Sequence, residues 1–249
     1  MNGFTRLATV VAAVVAIAVV GLALASRSNV AKPAPSAAAS TPRPSCPVPN
    51  GGGGACLGTL AGGTYTAVGP EPVVTYTVPS GWSNLDDSRG GVLLLPPGAQ
   101  LAGVDAGTSD YIALHTGVAL ADAKCTDNPA AGVGRSSADI AQALVARPGL
   151  KTTTPRPVTI GSLSGYVLDI RLADGWKEEP CKGVAAPGVT LLVGQGVSHF
   201  ANGVVGKIAI RLYLLDAPGK TWAIEADDVT GGSHLDAYGQ IIERFWIGK

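Results

Sequence analysis

The chain has 249 residues, of which 14% are charged, and its 18 basic and 18 acidic side chains give a formal net charge of zero. No cluster of Lys or Arg supplies the positive patch that nucleic acid requires, so DNA and RNA are excluded as expected partners. Globular domains usually contain about 25% charged residues, and the low value here, together with 34 Gly and 18 Pro, favours a loop-rich exported fold.

The first predicted element is an uncharged apolar run from Leu7 to Ala25. A helix over this run is about 28 Å long, close to the ~30 Å hydrocarbon core of a bilayer, so it can act as a signal anchor. The small-x-small sequence Ala23-Leu24-Ala25 instead favours a signal peptide cleaved after Ala25. Both alternatives place residues 26–249 outside the cytoplasm, either in a single-pass membrane protein or in a secreted one. The membrane is a partner through Leu7 to Ala25 if the run is uncleaved.

Composition divides the exported part in two. Residues 26–56 are rich in Pro, Ala, Ser and Gly, which predicts a disordered linker, because such a segment has too little apolar bulk to offset its ordering entropy. Residues 57–249 are enough for one domain with a substantial core. We therefore expect a single extracytoplasmic α+β domain.

Cysteine usage agrees with export. The chain has four cysteines and no CxxC pair, and in an oxidising compartment an even set is expected to form disulfides. Three connectivities are possible, and the sequence does not choose among them. The four residues are Cys46, Cys56, Cys125 and Cys181.

The first half of the domain contains three strand patterns and a helix. A strand is predicted from Val73 to Val78 before the turn Pro79-Ser80-Gly81, and shorter strands from Val92 to Leu95 and from Tyr111 to Thr116. A helix begins at Ser136, which has capping-box spacing with Asp139, and it ends at Arg147-Pro148-Gly149.

The second half contains two hairpins and a strand between them. One hairpin joins Val158 to Ile160 with Leu163 to Leu172 through Gly161-Ser162, and a strand follows from Val189 to Val193. The next segment, GQGVSHFANGVVG, has no clean period and is interpreted as a loop.

The second hairpin pairs Lys207 to Asp216 with Thr221 to Asp228. If the apolar positions of both arms face one core, with Trp222 among them, paired residue numbers must have an even sum. This predicts an odd-length loop or a bulge, with Arg211 opposite Glu225 or Asp227 on the outer face.

The last predicted element is an amphipathic helix, capped by Ser233 with Asp236. Its apolar stripe consists of Leu235, Tyr238, Ile241, Ile242 and Phe245. Strands joined by hairpins with few helices indicate an α+β fold, an antiparallel β-sheet covered by a few helices.

Four segments carry a resemblance: VVTYTVPSGW, PVTIGSLSGYVLDIRL, RLYLLD with TWAIEADD, and HLDAYGQIIERF. They resemble a group of exported actinobacterial proteins. More distantly, the strand-P-x-G-W opening and the closing helix resemble the PsbP-like fold of LpqN-type lipoproteins and of the photosystem II extrinsic protein PsbP. The resemblance implies an antiparallel sheet covered by helices and an accessory or binding role. The chain departs from the lipoproteins because no lipid-attachment cysteine stands at the small-x-small junction.

Motifs of known chemistry are incomplete. Gly219-Lys220-Thr221 lacks the first glycine of a phosphate loop, because Leu214 stands there, and Leu163 occupies the nucleophile position of GSLSG. A site of His199, His234 and Asp228 would combine ordinary metal ligands, but their spacing matches no known motif. The simpler interpretation places His234 exposed at the start of a helix. We therefore predict no metal ligand and no cofactor, and identify no catalytic residue.

Acidic doublets and tryptophans are the remaining candidates. The doublets Asp86-Asp87, Glu178-Glu179 and Asp227-Asp228 are interpreted as solvated loop charges. Four tryptophans, Trp82, Trp176, Trp222 and Trp246, could line a sugar or peptide groove. Trp176 lies in the polar segment ADGWKEEPCKG and is the predicted exposed, ligand-binding residue.

These observations favour a non-catalytic binding or accessory protein of the cell envelope, with an envelope protein or a glycan as partner. A first alternative is an exported hydrolase using His199 or His234 with acidic partners. A second is a structural domain of an envelope assembly, which a large exposed apolar patch would favour. A polar pocket holding one histidine and two carboxylates would oppose the non-catalytic interpretation.

Overall fold

The computed structural model describes residues 48–49, 56–67, 70–88, 90–123, 128–179, 186–194 and 201–248, all within one compact unit. The run from Leu7 to Ala25 lies outside these ranges, as do Cys46, Cys125 and Cys181, and Cys56 is described only by its backbone. The predictions of a membrane segment and of disulfides therefore stay predictions. Within the described ranges, no helix is long and apolar enough to span a bilayer.

The described chain forms many short strands and three helices. The strands are β1 (Val48–Pro49), β2 (Cys56–Thr59), β3 (Gly63–Ala67), β4 (Val73–Val78), β5 (Ser83–Ser88), β6 (Gly91–Leu95), β7 (Tyr111–Leu120), β8 (Leu150–Thr152), β9 (Arg156–Ile160), β10 (Leu163–Leu172), β11 (Gly188–Gly194), β12 (Ala201–Val205), β13 (Ala209–Ala217), β14 (Lys220–Asp228) and β15 (Trp246–Gly248). The helices are α1 (Leu101–Asp105), α2 (Ser137–Val145) and α3 (Leu235–Ile242).

The strands form two antiparallel sheets. The large sheet has the order β1-β2-β5-β6-β7-β14-β13-β10-β8, with β9 also on β10, and the β11–β12 hairpin attached to β7 through β11. The small sheet has the order β15-β4-β3. The predicted α+β class, a mostly antiparallel β-sheet with few helices, is confirmed. The first described strand, β1, lies inside the segment predicted as a linker.

The centre of the large sheet is buried on both faces. One face packs against α3 and the small sheet, through residues such as Trp222, Tyr213 and Tyr238. The other packs against α2 and the β11–β12 hairpin, through residues such as Leu212 and Leu214. All residues of β14 after Lys220 are buried in consequence.

This two-sided burial overturns the predicted odd-length loop between β13 and β14. Ala217 pairs directly with Lys220, so the hairpin closes through a two-residue Pro-Gly turn. The sums of paired residue numbers are odd, and the apolar sets of the two strands face different cores. The prediction was wrong because it assumed that only one face is buried.

The predicted partner of Arg211 was also wrong. Arg211 lies opposite Ala226. Its guanidinium donates two hydrogen bonds to Asp169, from Nε (2.7 Å) and Nη2 (2.9 Å), and it pairs with Asp236 at 3.0 Å. These contacts raise the pKa of Arg211, first through the hydrogen bonds to Asp169. These contacts of Arg211 with Asp169 and Asp236 link β13 to β10 and to α3.

The helix at Ser136 is confirmed, whereas the cap predicted at Ser233 was wrong. Oγ of Ser136 accepts from the backbone N–H of Asp139 in a capping box. The Oγ of Ser233 contacts that of Thr230 instead, and the N-cap of α3 is His234. The segment interpreted as a loop before residue 207 also contains a strand, β12.

Candidate functional site

Four side chains from three elements meet beside the start of β7. Because β14 runs antiparallel to β7 and pairs Asp227 with Tyr111, the neighbouring Asp228 and Asp110 come close together. Nδ1 of His234 donates to Oδ2 of Asp110 (2.8 Å) and lies 3.7 Å from Oδ1 of Asp228. The hydroxyl of Tyr238 donates to the same oxygen of Asp110 (2.7 Å). We call Asp110, Asp228, His234 and Tyr238 the His234 cluster.

The carboxylates of the His234 cluster hold the connection between β14 and α3. Oδ1 of Asp228 accepts from the N–H of Thr230 (2.7 Å), and Oδ2 accepts from the N–H of His234 (2.6 Å). Burial acts to raise the pKa of Asp228, but the hydrogen bonds from Thr230 and His234 outweigh it and the pKa is lowered. Asp110 accepts from the N–H of Val229 (2.9 Å). Asp228 therefore holds the turn that leads into α3, whereas α3 itself has no side-chain cap hydrogen bond.

The His234 cluster contains part of the site considered from the sequence, which consisted of His199, His234 and Asp228. His234 and Asp228 do meet, Asp110 joins them, and His199 lies outside the described residues. Ligand atoms of the three groups lie within 4.8 Å of one another. However, a metal ion would compete with the backbone N–H groups that already donate hydrogen bonds to the carboxylate oxygens. The half-exposed imidazole, oriented by Asp110, is better suited to exchanging protons with a bound molecule.

A second polar cluster lies on the α2 face of the same two strands. Glu225 is 1% exposed and accepts hydrogen bonds at Oε1 from Nε2 of His115 (3.0 Å) and from the hydroxyl of Tyr111 (3.3 Å). Its other oxygen, Oε2, accepts from the amide of Asn202 on β12. Asp227 is 4% exposed and lies on the same face. We call these five residues the Glu225 cluster.

Asp227 is less fully compensated than Glu225, although a hydrogen bond from Tyr111 acts to lower its pKa. Its Oδ1 is buried without a hydrogen-bond partner. Burial raises the pKa of Asp227 well above its usual range, and the charge of Glu225 raises it further. Asp227 and Asp228 were interpreted as solvated loop charges, and this was wrong, because both lie in a strand whose two faces are covered.

A cavity formed by described residues lies beside the turn before α3. It has a volume of about 290 Å³ and is lined by Lys151, Thr152, Thr153, Asp169, Ile170, Arg171, Ala209, Gly231, Gly232 and Leu235. Ala209 and Leu235 are buried and give an apolar floor. Lys151 and Arg171 are directly opposite each other in the pairing of β8 with β10. None of these residues was predicted from the sequence to bind a ligand, because no local motif marks a cation pair formed across strands.

Trp176, the predicted ligand-binding residue, is half-buried rather than exposed. Its Nε1 donates to the carbonyl of Gly188 (3.1 Å), and its ring covers Gly149, where a Cβ atom would lie 2.6 Å from the ring. It packs against the core on the α2 face. The expectation of exposure was wrong, and ligand binding by Trp176 stays a prediction. Trp222 is buried as predicted, whereas Trp246 is 45% exposed.

Comparison with known proteins adds little at this site. No protein-family model matches the chain, and no curated protein matches it. A solved structure from Bacteroides thetaiotaomicron VPI-5482 has a TM-score of 0.34 and 12% identity and covers 76% of this chain, which spans 50% of that protein's length. Cyanobacterial PsbP (CyanoP) from Synechocystis sp. PCC 6803 has a TM-score of 0.38 and 11% identity, over 78% of this chain and 98% of its own. A PsbP protein is thus among the structures similar to this chain, but at such TM-scores the likeness assigns no site residue and no activity.

Proposed function

We propose that this chain is an extracytoplasmic, non-catalytic binding protein of the cell envelope, tethered through Leu7 to Ala25 or secreted, that holds a small organic anion in the cavity beside Gly231 and Gly232. The cross-strand pair of Lys151 and Arg171 carries this proposal. Two cations directly opposite each other on neighbouring strands repel one another, so the pair is unfavourable by itself. An anion bound between them would remove that cost.

The other groups around the cavity do not neutralise both cations. Lys151 contacts Asp174 at 3.2 Å, but this pair is largely exposed and therefore weak. Asp169 lies closer to the cavity, yet its carboxylate is engaged by Arg211. Arg171 thus has the chemistry to bind a carboxylate or phosphate through two parallel hydrogen bonds.

The size of the cavity limits the ligand. A volume of about 290 Å³ is at the lower end of ligand pockets, which span about 300–1,000 Å³. The floor of Ala209 and Leu235 favours an apolar segment, and the cations at the rim favour one negative group. The proposed ligand class is therefore a short amphiphile with a single anionic head.

Titration calorimetry and amide chemical shifts of the full-length protein test this proposal with hexanoate, hexanol and hexylamine as probes. We expect hexanoate to bind with the largest shifts at Lys151, Arg171, Gly231 and Gly232, and hexanol and hexylamine to bind more weakly. A Lys151→Gln, Arg171→Gln double variant should lose hexanoate binding.

The matched control removes two exposed cations elsewhere, Lys177→Gln with Arg156→Gln, and should bind hexanoate like the parent protein. Equal affinity for hexanol and hexanoate, or shifts confined to other parts of the domain, would refute the proposal.

The His234 cluster holds one histidine and two carboxylates, the combination expected to oppose a non-catalytic role, but none of these three residues lines the cavity. The contact between His234 and Asp110 favours a second candidate, an exported hydrolase that uses His234 for acid–base chemistry. Within the described ranges, no Ser, Thr or Cys side chain hydrogen-bonds to the His234 ring, so water would be the nucleophile. A panel of chromogenic esters and phosphate esters tests this candidate. Hydrolysis by the parent protein that is lost in a His234→Gln variant of unchanged thermal stability would support it over the first candidate.

A further inference from the structure

The outer face of the small sheet carries a repeated pattern. The two neighbouring strands β3 and β4 both contain Thr-Tyr-Thr, at Thr64-Tyr65-Thr66 and Thr75-Tyr76-Thr77. Because side chains alternate along a strand, the tyrosines point inward and the threonines outward. From these threonines and Trp246 we infer a binding platform for a neutral polysaccharide, separate from the cavity.

The inward tyrosines hold the platform rigid. Their rings stack with centroids 5.9 Å apart and an interplanar angle of 26°. The hydroxyl of Tyr65 donates to the carbonyl of Ala61 (2.8 Å), and that of Tyr76 accepts from the amide of Asn84 (2.9 Å). Both hydroxyl groups have hydrogen-bond partners, so the tyrosines anchor the inner face of the sheet to the core.

The outward threonines form two hydroxyl pairs. Oγ1 of Thr64 lies 2.8 Å from Oγ1 of Thr77, and Oγ1 of Thr66 lies 3.5 Å from Oγ1 of Thr75. One hydroxyl hydrogen closes each pair, so each pair keeps one donor and free lone pairs for a ligand. Sugar hydroxyls, which both donate and accept, match such a surface.

Trp246 completes a row across the three strands. It is directly opposite Thr75, which is directly opposite Thr66. The indole lies over Gly248 on the same face, where a Cβ atom would be 2.8 Å from the ring. The backbone of Gly248 therefore covers part of one side of the ring, and the side chain remains 45% exposed.

The side chains of this face indicate which class of ligand it can bind. Its outward positions are the four threonines, Trp246, Gly248 and Val73, and none of them is charged. An acidic or basic polymer would find no counter-charge here, and a protein partner would find only two large apolar side chains, fewer than a stable interface core needs. A neutral sugar chain can place the apolar face of one ring on the indole and its hydroxyls on the threonines. The strand spacing of about 4.8 Å is close to the length of a sugar ring.

Two experiments with the full-length protein test whether the platform binds glycans. One measures retention on insoluble cellulose and amylose, and the other is titration with cellohexaose and maltohexaose. We expect binding to at least one of these glycans and an affinity loss of about tenfold or more in Trp246→Ala, because stacking on an exposed aromatic ring is removed. Gly248→Ala keeps the indole but displaces it, and should also weaken binding. A Thr64→Val, Thr77→Val variant should lose part of the affinity.

Val145→Ala, which removes an exposed apolar side chain of α2, is the matched control and should leave glycan binding unchanged. The Lys151→Gln, Arg171→Gln variant should do the same, so the platform and the anion cavity can fail independently. Absence of binding to all four probes would overturn the inference. So would full affinity in Trp246→Ala, or capture of a protein with no glycan bound.

Discussion

Asp227 and Asp228 are neighbours in one strand, yet their replacement by asparagine should have opposite effects on stability. The folded protein raises the pKa of Asp227 through burial and through the charge of Glu225. A raised pKa means that the folded state holds the proton more tightly than the unfolded state. The parent protein therefore loses stability as pH rises from about 3.9, the unfolded value, toward the raised folded value.

The size of this effect follows from one proton. Stability falls by about 1.4 kcal/mol for each pH unit between the two pKa values. Asp227→Asn removes the titration and keeps the shape, so it should be more stable than the parent protein at pH 7. Its advantage should shrink toward zero at about pH 4, where both side chains are neutral.

Asp228→Asn is the matched control with the opposite sign. The pKa of Asp228 is lowered, so its contribution to stability is present above about pH 3.9 and is lost as pH falls toward the folded value. Asparagine keeps one acceptor of the two, which leaves the N–H of His234 or of Thr230 without a partner. The expected cost at pH 7 is about 1–3 kcal/mol, or a melting temperature about 2–12 °C lower.

These differences in the free energy of unfolding are measured by urea unfolding. The full-length parent protein and both variants are compared at several pH values between 4 and 8. If Asp227→Asn destabilises the protein by the same amount at every pH, Asp227 does not hold a raised pKa and the reasoning fails. If both variants change stability in the same direction at pH 7, the distinction between the two carboxyl groups fails as well.

Three further predictions test the fold by urea unfolding. Ser136→Ala should cost about 1 kcal/mol because it removes the N-cap of α2, and a change below the measurement error would contradict the cap. Gly165→Ala should prevent or strongly weaken folding, since its Cβ would lie 1.9 Å from the carbonyl oxygen of Leu214, whereas Gly63→Ala has no atom closer than 4.0 Å and should be nearly neutral. Arg211→Gln should cost about 2 kcal/mol by breaking the charged hydrogen bonds to Asp169, a loss that Asp169→Asn should share rather than add to.

Local patterns predicted the elements that a few adjacent residues determine. The strand from Val73 to Val78 and the helix after Ser136 appear where alternation and capping spacing placed them. The hairpin through Gly161 and Ser162 has the expected two-residue turn. The strand β12 was missed although its partner is the preceding strand β11, because its own sequence, ANGVV, has no period-two alternation of apolar and polar residues.

The two polar clusters depend on contacts between residues that are distant in the sequence. Asp110 meets His234 across 124 residues, and Glu225 meets His115 across 110. Neither pair has a characteristic spacing, because strand order in the sheet brings the residues together. A site with His234 and Asp228 was considered from the sequence and set aside, and only the pairing of β7 with β14 shows that Asp110 joins these two residues.

The turn between β13 and β14 decides the chemistry of the sheet centre. An odd-length loop would have placed Glu225 on the face opposite to Leu212, and the apolar residues of both strands on one side. The two-residue turn instead pairs Leu212 with Glu225 and carries Glu225 and Asp227 into the α2 face. Burial of two carboxyl groups there is costly. It is offset for Glu225 by His115 and Asn202, and only in part for Asp227 by a hydrogen bond from Tyr111. The same two-residue turn that allows both sheet faces to be covered therefore buries Asp227, and replacing Asp227 by asparagine should stabilise the protein.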